Sequence, residues 1–378
     1  MSDSGNKLKD IAILFLKLGT TAFGGPAAHI AMMQQEVVDK RKWYDRQNFL
    51  DLVGATNLIP GPNSTELAIH IGYDKGGWKG LLIAGLCFIF PAVFITTFIA
   101  YMYKEYGHLP DVQKFIYGIK PAILSIVIGA VLPLLRTAGK TLALRLIGIL
   151  AFLSVVFGAN ELAVLFGAGF LAVFINKLIN NSSNNSVKSF LPVLGLKIST
   201  GATAALTNAK LFFLFLKIGA VIYGSGYVLF AFLDAELVAN GLLSRQQLID
   251  AIAVGQFTPG PVFSAVTFVG YQMNGFSGAA LATLGVFLPS FLFVAVLHLF
   301  MKKLKTSPWF TAFLDGVNIA SVALILMVCS EIGIESIKDW RTITIALASL
   351  FLVFGFKKLN TAFIVVFASL TGYLLTYF

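Results

Sequence analysis

The sequence predicts an all-α integral membrane protein of two inverted-topology repeats, with about ten transmembrane helices and a re-entrant helical hairpin in each half. Three observations carry that expectation. Of the 378 residues, 57% are hydrophobic and only 12% are charged, where a soluble domain carries about a quarter charged residues. The triplet Pro-Gly-Pro occurs twice inside long apolar sequence, as Pro60-Gly61-Pro62 and Pro259-Gly260-Pro261. The residues around the first triplet also return, one after another, around the second.

Taken in order, residues 1–10 are polar and 11–23 are apolar. No cleavable leader is expected, because the apolar stretch holds Lys17 and lacks a small-residue cleavage pattern. It ends in Phe23-Gly24-Gly25-Pro26. Residues 27–43 are amphipathic and close on Lys40-Arg41-Lys42, which places them at a surface. Residues 46–59 and 63–73 flank the first triplet. Each stretch is about half of the ~20 residues a crossing needs, so the pair is expected as a re-entrant hairpin. Full spans are expected over 80–103, 112–135, 142–157 and 162–174. A polar run around 180–186 then divides the chain into a first repeat, 1–179, a linker, 180–206, and a second repeat, 207–378. The second repeat contributes spans over 279–300, 310–330, 342–354 and 362–375.

The duplication is explicit. Phe15-Leu16-Lys17-Leu18-Gly19 returns as Phe215-Leu216-Lys217-Ile218-Gly219, Glu36 as Glu236, and Arg46-Gln47 as Arg245-Gln246. Gly72-Tyr73 returns as Gly270-Tyr271 and Phe90-Pro91 as Leu288-Pro289, with the offset drifting only from 200 to 198. Loop charge predicts orientation, because Lys and Arg gather on the cytoplasmic side. Lys40-Arg41-Lys42 is basic where Asn240-Gly241-Leu242 has no charge, and Lys302, Lys303 and Lys305 answer a loop balanced by Glu105 and Asp111. Arg136, Lys140 and Arg145 answer a net acidic stretch, 331–341, and Lys357-Lys358 answers the base-free 158–161. All four comparisons change sign. The pattern predicts five crossings per half, inverted halves and both termini outside.

Several function classes are disfavoured. The net charge of +10 points in such a chain to cytoplasmic loops and anionic lipid headgroups, with the bilayer as partner and no nucleic acid. Cys87 and Cys329 sit in apolar runs with no metal spacing or disulfide framework. No Gly-x-x-x-x-Gly-Lys-Ser/Thr loop is present. Neither a His/Cys cluster nor paired intramembrane carboxylates support an enzyme, and no cofactor is expected. Inverted repeats with broken helices are instead the pattern of secondary transporters.

Candidate ligand groups gather at the breaks. A Pro-Gly-Pro triplet ends one helix and starts another, turning backbone N–H groups and a positive dipole end towards a pocket. That assigns Pro60, Gly61, Pro62, Pro259, Gly260 and Pro261 to an anion-facing site. Asn63, Ser64 and Thr65, with Thr258 and Ser264, add amide and hydroxyl groups; ordinary capping is the alternative. Gly24 and Gly25, with Gly224 and Ser225, form second breaks that add donors or kink the helix. Lys17 and Lys217 share one repeat position, and a lysine at a span centre costs ~2.5–3.5 kcal/mol on insertion scales. Two such ammonium groups converging at the midplane would suit a divalent oxyanion; snorkelling is the alternative. Glu66, whose counterpart is Ala265 when the triplets are aligned, is a proton-coupling candidate, because an ionised carboxylate repels an anion. The alternative is a Glu66 bonded to Lys17 or Arg46. His29 is a second coupling candidate or a structural residue, with Leu229 in its place in half two. Arg46 and Arg245 are expected to pair with Asp51 and Asp250.

Phe23-Gly24-Gly25-Pro26-x-x-His29, Glu36, Trp43, Pro60-Gly61-Pro62-x-Ser64-Thr65, Gly72-Tyr73, Gly80 and Phe90-Pro91 together resemble the chromate ion transporter (CHR) family in its long, two-domain form. The resemblance covers nearly the whole chain. It implies export of chromate across the cytoplasmic membrane, with sulfate as a chemically similar oxyanion. Half two departs from the pattern, with Tyr223-Gly224-Ser225-Gly226 for Phe-Gly-Gly-Pro and Val262-Phe263 for Asn63-Ser64. The expected activity is secondary active export driven by the proton gradient or by exchange. A passive anion channel is the alternative, and a homodimer is left open.

Overall fold

The computed structural model describes residues 2–23, 25–107, 109–180, 207–223, 226–305, 307–356 and 359–376. Gly24, Gly224, Ser225 and linker residues 181–206 lie outside the described residues. The described chain holds only helices. The first half comprises α1 (Ser2–Thr21), α2 (Gly25–Gln34) running into a π-helical segment (Gln35–Lys40), α3 (Arg46–Thr56), α4 (Asn63–Tyr106), α5 (Pro110–Ala138), α6 (Leu142–Val156) and α7 (Glu161–Asn180). The second half repeats that order: α8 (Asn208–Val221), α9 (Val228–Leu233) with its own π-helical segment (Asp234–Val238), and α10 (Arg245–Phe257). A 3-10 turn (Val262–Ser264) then leads into α11 (Ala265–Lys305), α12 (Pro308–Ser336), α13 (Trp340–Gly355) and α14 (Thr361–Leu375).

Local chemistry sets the boundaries. Asp45 accepts the Asn48 amide at the start of α3, and Ser244 with Gln247 forms a capping box at α10. Pro110 and Pro308 open α5 and α12 in the first turn, where a missing N–H costs nothing. Among the described residues, α4, α5, α7, α11 and α12 are long and apolar enough to cross a membrane. Helices α6, α13 and α14 are shorter and apolar. Exposed stripes such as Phe90, Phe94 and Phe98 on α4, or Phe363, Phe367, Leu370 and Leu374 on α14, present side chains suited to lipid.

The 44-residue α4 is two helices. Gly77 takes φ 59 and ψ −150, a conformation a side chain resists, and the chain folds back on itself there. A Cβ on Gly72 would overlap the Gly80 carbonyl oxygen and the Ala84 methyl. In one straight helix residues 72 and 84 would lie about 18 Å apart. Arms 63–76 and 78–106 are therefore antiparallel neighbours, and α11 repeats the device at Gly275, with φ 61 and ψ −146. There Gly270 packs on Gly278 and Ala282, and the Thr267 and Thr283 hydroxyls meet at 2.7 Å. The spans expected over 80–103 and 279–300 are the second arms of these hairpins.

The halves interlock. Helix α4 packs on α11 and α5 on α12, while α5 also takes α13 and α14, and α12 takes α6 and α7. Gly118 of α5 admits Ala368 and Gly372 of α14, and Gly316 of α12 admits Ala168 and Ala172 of α7. Each half thus closes its last helices over the other half's central helix, through small residues that allow backbones to touch.

Two glycine substitutions separate packing from backbone strain. Gly72→Val drives a side chain into backbone and should leave no monodisperse protein after detergent extraction. A Cβ at Gly77 meets open space, so Gly77→Ala carries only the strain of its dihedrals, roughly 1–3 kcal/mol. It should give folded protein with a lowered Tm. Size-exclusion profiles of the two variants check this; wild-type behaviour of Gly72→Val would contradict the hairpin packing.

Candidate functional site

Both Pro-Gly-Pro triplets are buried, and their glycines take positive φ, 136 at Gly61 and 88 at Gly260. Helix resumes directly after each: the Thr65 and Glu66 amides donate to Pro62 O at 2.7 and 3.0 Å, and the Ser264 amide donates to Pro261 O at 2.9 Å. The glycine amides point elsewhere. Gly61 N–H donates to Ile222 O at 2.7 Å and Gly260 N–H donates to Ala22 O at 2.8 Å. Ala22 and Ile222 occupy the same repeat position, just after α1 and α8. Each triplet is therefore bonded to the first break of the other half. The two glycine amides serve these junctions, in place of the ligand contact expected of them.

At the first junction Glu66 is fully buried on α4. Its carboxylate and the Ser290 hydroxyl of α11 both face Gly61, whose Cβ would sit 2.7 Å from Ser290 Oγ and overlap Glu66 Oε1. Ser290 lies beside the carboxylate but outside good hydrogen-bond geometry. His29 of α2 places Nδ1 3.3 Å from Ser64 Oγ, stacks edge-on with Phe88 and also meets the Ala22 carbonyl. His70, one turn beyond Glu66, is fully buried too. Asn63 is less deep and donates to Asn57 Oδ1 at 2.6 Å. At the second junction Thr258 Oγ1 donates to Val254 O at 2.8 Å and so caps its own helix. Gly25, with φ 83, runs beside the Tyr227 phenol, which donates to Gln256 Oε1 at 3.3 Å. A cleft of about 420 Å³ lies alongside, lined by Thr21, Phe23, Ala28, Tyr227, Asn360 and Thr361 among others.

Among the described residues, buried side-chain atoms with no hydrogen-bond partner include both Glu66 oxygens, Ser290 Oγ, Thr65 Oγ1, Ser264 Oγ, Thr96 Oγ1, His29 Nε2 and Gln256 Nε2. These lie on α2, α4, α10, α11 and the 3-10 turn, which flank the two breaks, while Ser336 Oγ of α12 and Arg341 Nε of α13 are unpartnered elsewhere. Buried polar groups are nearly always paired in folded proteins. A cluster of exceptions marks where water, protons or a polar solute belong.

Lys17 and Lys217 are not among these buried atoms. Lys17 Nζ is 2.8 Å from Glu36 Oε1, and Lys217 Nζ is 2.5 Å from Glu236 Oε1, with the lysine side chains 52% and 40% exposed. Each lysine thus holds the carboxylate of the π-helical segment in its own half, in place of a shared midplane pocket. Hydrogen bonds from Lys17 and then Lys40 keep the Glu36 carboxyl below the usual carboxylate range. Arg41 adds a contact at 3.8 Å, so this group is net positive. Its counterpart is net negative: beside Lys217 and Glu236, Arg245 binds Asp234 at 3.0 Å and also Glu331. Arg245 does not bind Asp250, as the sequence led us to expect. Asp250 instead accepts from Tyr103 at 2.6 Å and from Gln246 at 3.0 Å. Glu66 touches neither Lys17 nor Arg46, which is exposed at the start of α3.

Ser290, His70, Tyr227 and Gln256 were not singled out from the sequence. Ser290 directly follows Pro289, where half one has Ala92 after Pro91. That difference is the one signal that pointed to it. For Lys17, the signal was Glu36, duplicated along with it.

The family model described as "Chromate transporter" matches this chain twice, over residues 9–173 and 209–373. The chain is 30% identical over 374 residues to the "Probable chromate transport protein" of Synechococcus elongatus, covering 97% of this chain and 95% of that one. It is 32% identical over 372 residues to the "Chromate transport protein" of Cupriavidus metallidurans, covering 97% and 92%. With the "Chromate transport protein" of Pseudomonas aeruginosa it shares 27% identity over 383 residues, covering 95% and 90%. No solved structure matches. The duplicated family match, the full-length relatives and the set of apolar helices agree: the chain is a multi-pass membrane protein and belongs to the chromate transporter family.

Proposed function

We propose that this protein is a secondary active transporter that exports chromate, or a similar tetrahedral oxyanion such as sulfate, across the cytoplasmic membrane. The observation that carries the reading is the set of unpartnered buried polar atoms on the elements that flank the two Pro-Gly-Pro breaks. A dianion in apolar surroundings needs donors and helix N-termini more than bulk charge. Ser64, Thr65 and Ser264 supply them at the resumed helices, with Asn63, Thr258 and the breaks around Gly24, Gly25, Gly224 and Ser225 around them. Glu66 takes the proton, because an anion and an ionised Glu66 exclude each other by repulsion, and His29, the other coupling candidate, stands beside Ser64.

In this reading the halves, 1–179 and 207–378, are inverted in the bilayer, with ten crossings and a re-entrant hairpin at each triplet. Reciprocal contacts support the inversion. Residues 92 and 103 meet 260 and 268, while 61 meets 290, so the second arm of α4 runs parallel to the first arm of α11. Since the arms of α4 are antiparallel, α4 and α11 as wholes run in opposite directions. The basic group around Glu36 then forms one mouth and the acidic group around Glu236 the other. An anion gathers at the basic mouth, which the loop charges assign to the cytoplasm.

Two measurements test this. In liposomes, the purified protein should move labelled chromate uphill under an imposed pH gradient, and an uncoupler should abolish the accumulation; mere equilibration would instead mark a channel. Lys17→Gln should raise KM for chromate several-fold, since the net positive charge at this mouth concentrates the anion, with protein levels unchanged. Lys217→Gln, on the acidic side, should raise it less, and Lys17→Arg should retain most activity. An unchanged KM in the double Gln variant would remove the lysines from the transport path.

A further inference from the structure

The two junctions are related by the repeat but differ chemically at three matched positions. Counted back from the packing glycines Gly72 and Gly270, the helix register of Glu66 is occupied in half two by Ser264. The 3-10 turn Val262–Ser264 absorbs the one-residue shortening that aligned Glu66 with Ala265. Ser290, beside Gly61, corresponds to Ala92, which a Cβ on Gly260 would meet at 2.8 Å. Tyr223, which follows the carbonyl that receives Gly61 N–H, corresponds to Phe23. The first junction thus holds a carboxyl, a hydroxyl and a phenol. The second holds a hydroxyl, a methyl and a phenyl ring.

Building on the proposed proton-coupled transport, we propose that Glu66 and Ser290 form a proton-binding site at the first junction, and that the second junction has no matching carboxyl, so coupling is one-sided although the fold is duplicated. Both Glu66 oxygens and Ser290 Oγ are buried without a hydrogen-bond partner. When ionised, the carboxylate can accept from the Ser290 hydroxyl. When protonated, its O–H can donate to Ser290 Oγ. One proton is gained or lost and no other bond changes. The charged groups of the packed elements are engaged elsewhere: Lys17 of α1 with Glu36, and Asp250 of α10 with Tyr103 and Gln246. Arg46 of α3 is exposed, and His29 of α2 faces Ser64 and the Ala22 carbonyl. His70 shares the helix with Glu66 and is the nearest further titratable group along it.

The test uses full-length protein in liposomes, with two readouts: net chromate accumulation driven by a pH gradient, and exchange of labelled for unlabelled chromate. Glu66→Gln should lose about ten-fold or more of the driven accumulation, while exchange continues at a rate that no longer varies with pH. Ser290→Ala removes a donor to the ionised carboxylate. It should move the pH midpoint of flux roughly one unit towards alkaline, with KM for chromate little changed. Glu66→Gln that keeps wild-type pH dependence would overturn the proposal, as would accumulation that follows a sodium gradient at fixed pH. If Glu66→Gln does not fold, an unshifted midpoint in Ser290→Ala overturns it alone. Wild-type protein that moves no chromate in either assay would instead refute the transport reading on which the site rests.

Discussion

The structure depends on one reciprocal pair of hydrogen bonds, Gly61 N–H to Ile222 O and Gly260 N–H to Ala22 O. A Pro-Gly-Pro triplet offers a single backbone donor, because its prolines have none. The end of α1 or α8 leaves carbonyls that its own helix cannot fill. Away from water each unmet group costs several kcal/mol, so broken backbone at membrane depth must find partners within the protein. Here the lone donor of one half meets the orphan carbonyl of the other, twice. Neither half satisfies its own break, and the same reciprocity recurs in the packing, where α5 closes against α13 and α14 while α12 closes against α6 and α7. The positive φ of both glycines follows from the same requirement.

Duplication supplied the frame, and divergence then made its two ends different. The π-helical segments keep the same Lys–Glu pair, yet the surroundings are basic around Glu36 and acidic around Glu236. Inside, the carboxyl, hydroxyl and phenol of the first junction face a hydroxyl, methyl and phenyl ring in the second. A transporter with identical ends has no preferred direction of its own. Charge at the mouths and a titratable group at one junction are the means by which this sequence departs from that symmetry, within the function proposed here.

Much of this was legible because it is local. Composition, the offset of about two hundred residues and the effect of Pro-Gly-Pro on a helix need no tertiary information. The helical spans of both halves follow from apolar length, and the chain's family follows from motif order. What stayed hidden were contacts between distant segments. The reach of Lys17 back to Glu36 depends on how the chain turns between α1 and α2. The meeting of Glu66 with Ser290 depends on α4 and α11 folding back at Gly77 and Gly275. The register of Ser264 depends on a 3-10 turn that alignment on the triplets cannot show.

The opposed orientation of the two halves is the claim from which the crossing junctions, the unlike mouths and the transport direction all follow. Labelling single cysteines at positions 41 and 240 in intact cells, with Cys87 and Cys329 replaced, tests it most directly. An impermeant maleimide should mark position 240 from outside and reach position 41 only after permeabilisation. Labelling of both positions from the same side would contradict the account.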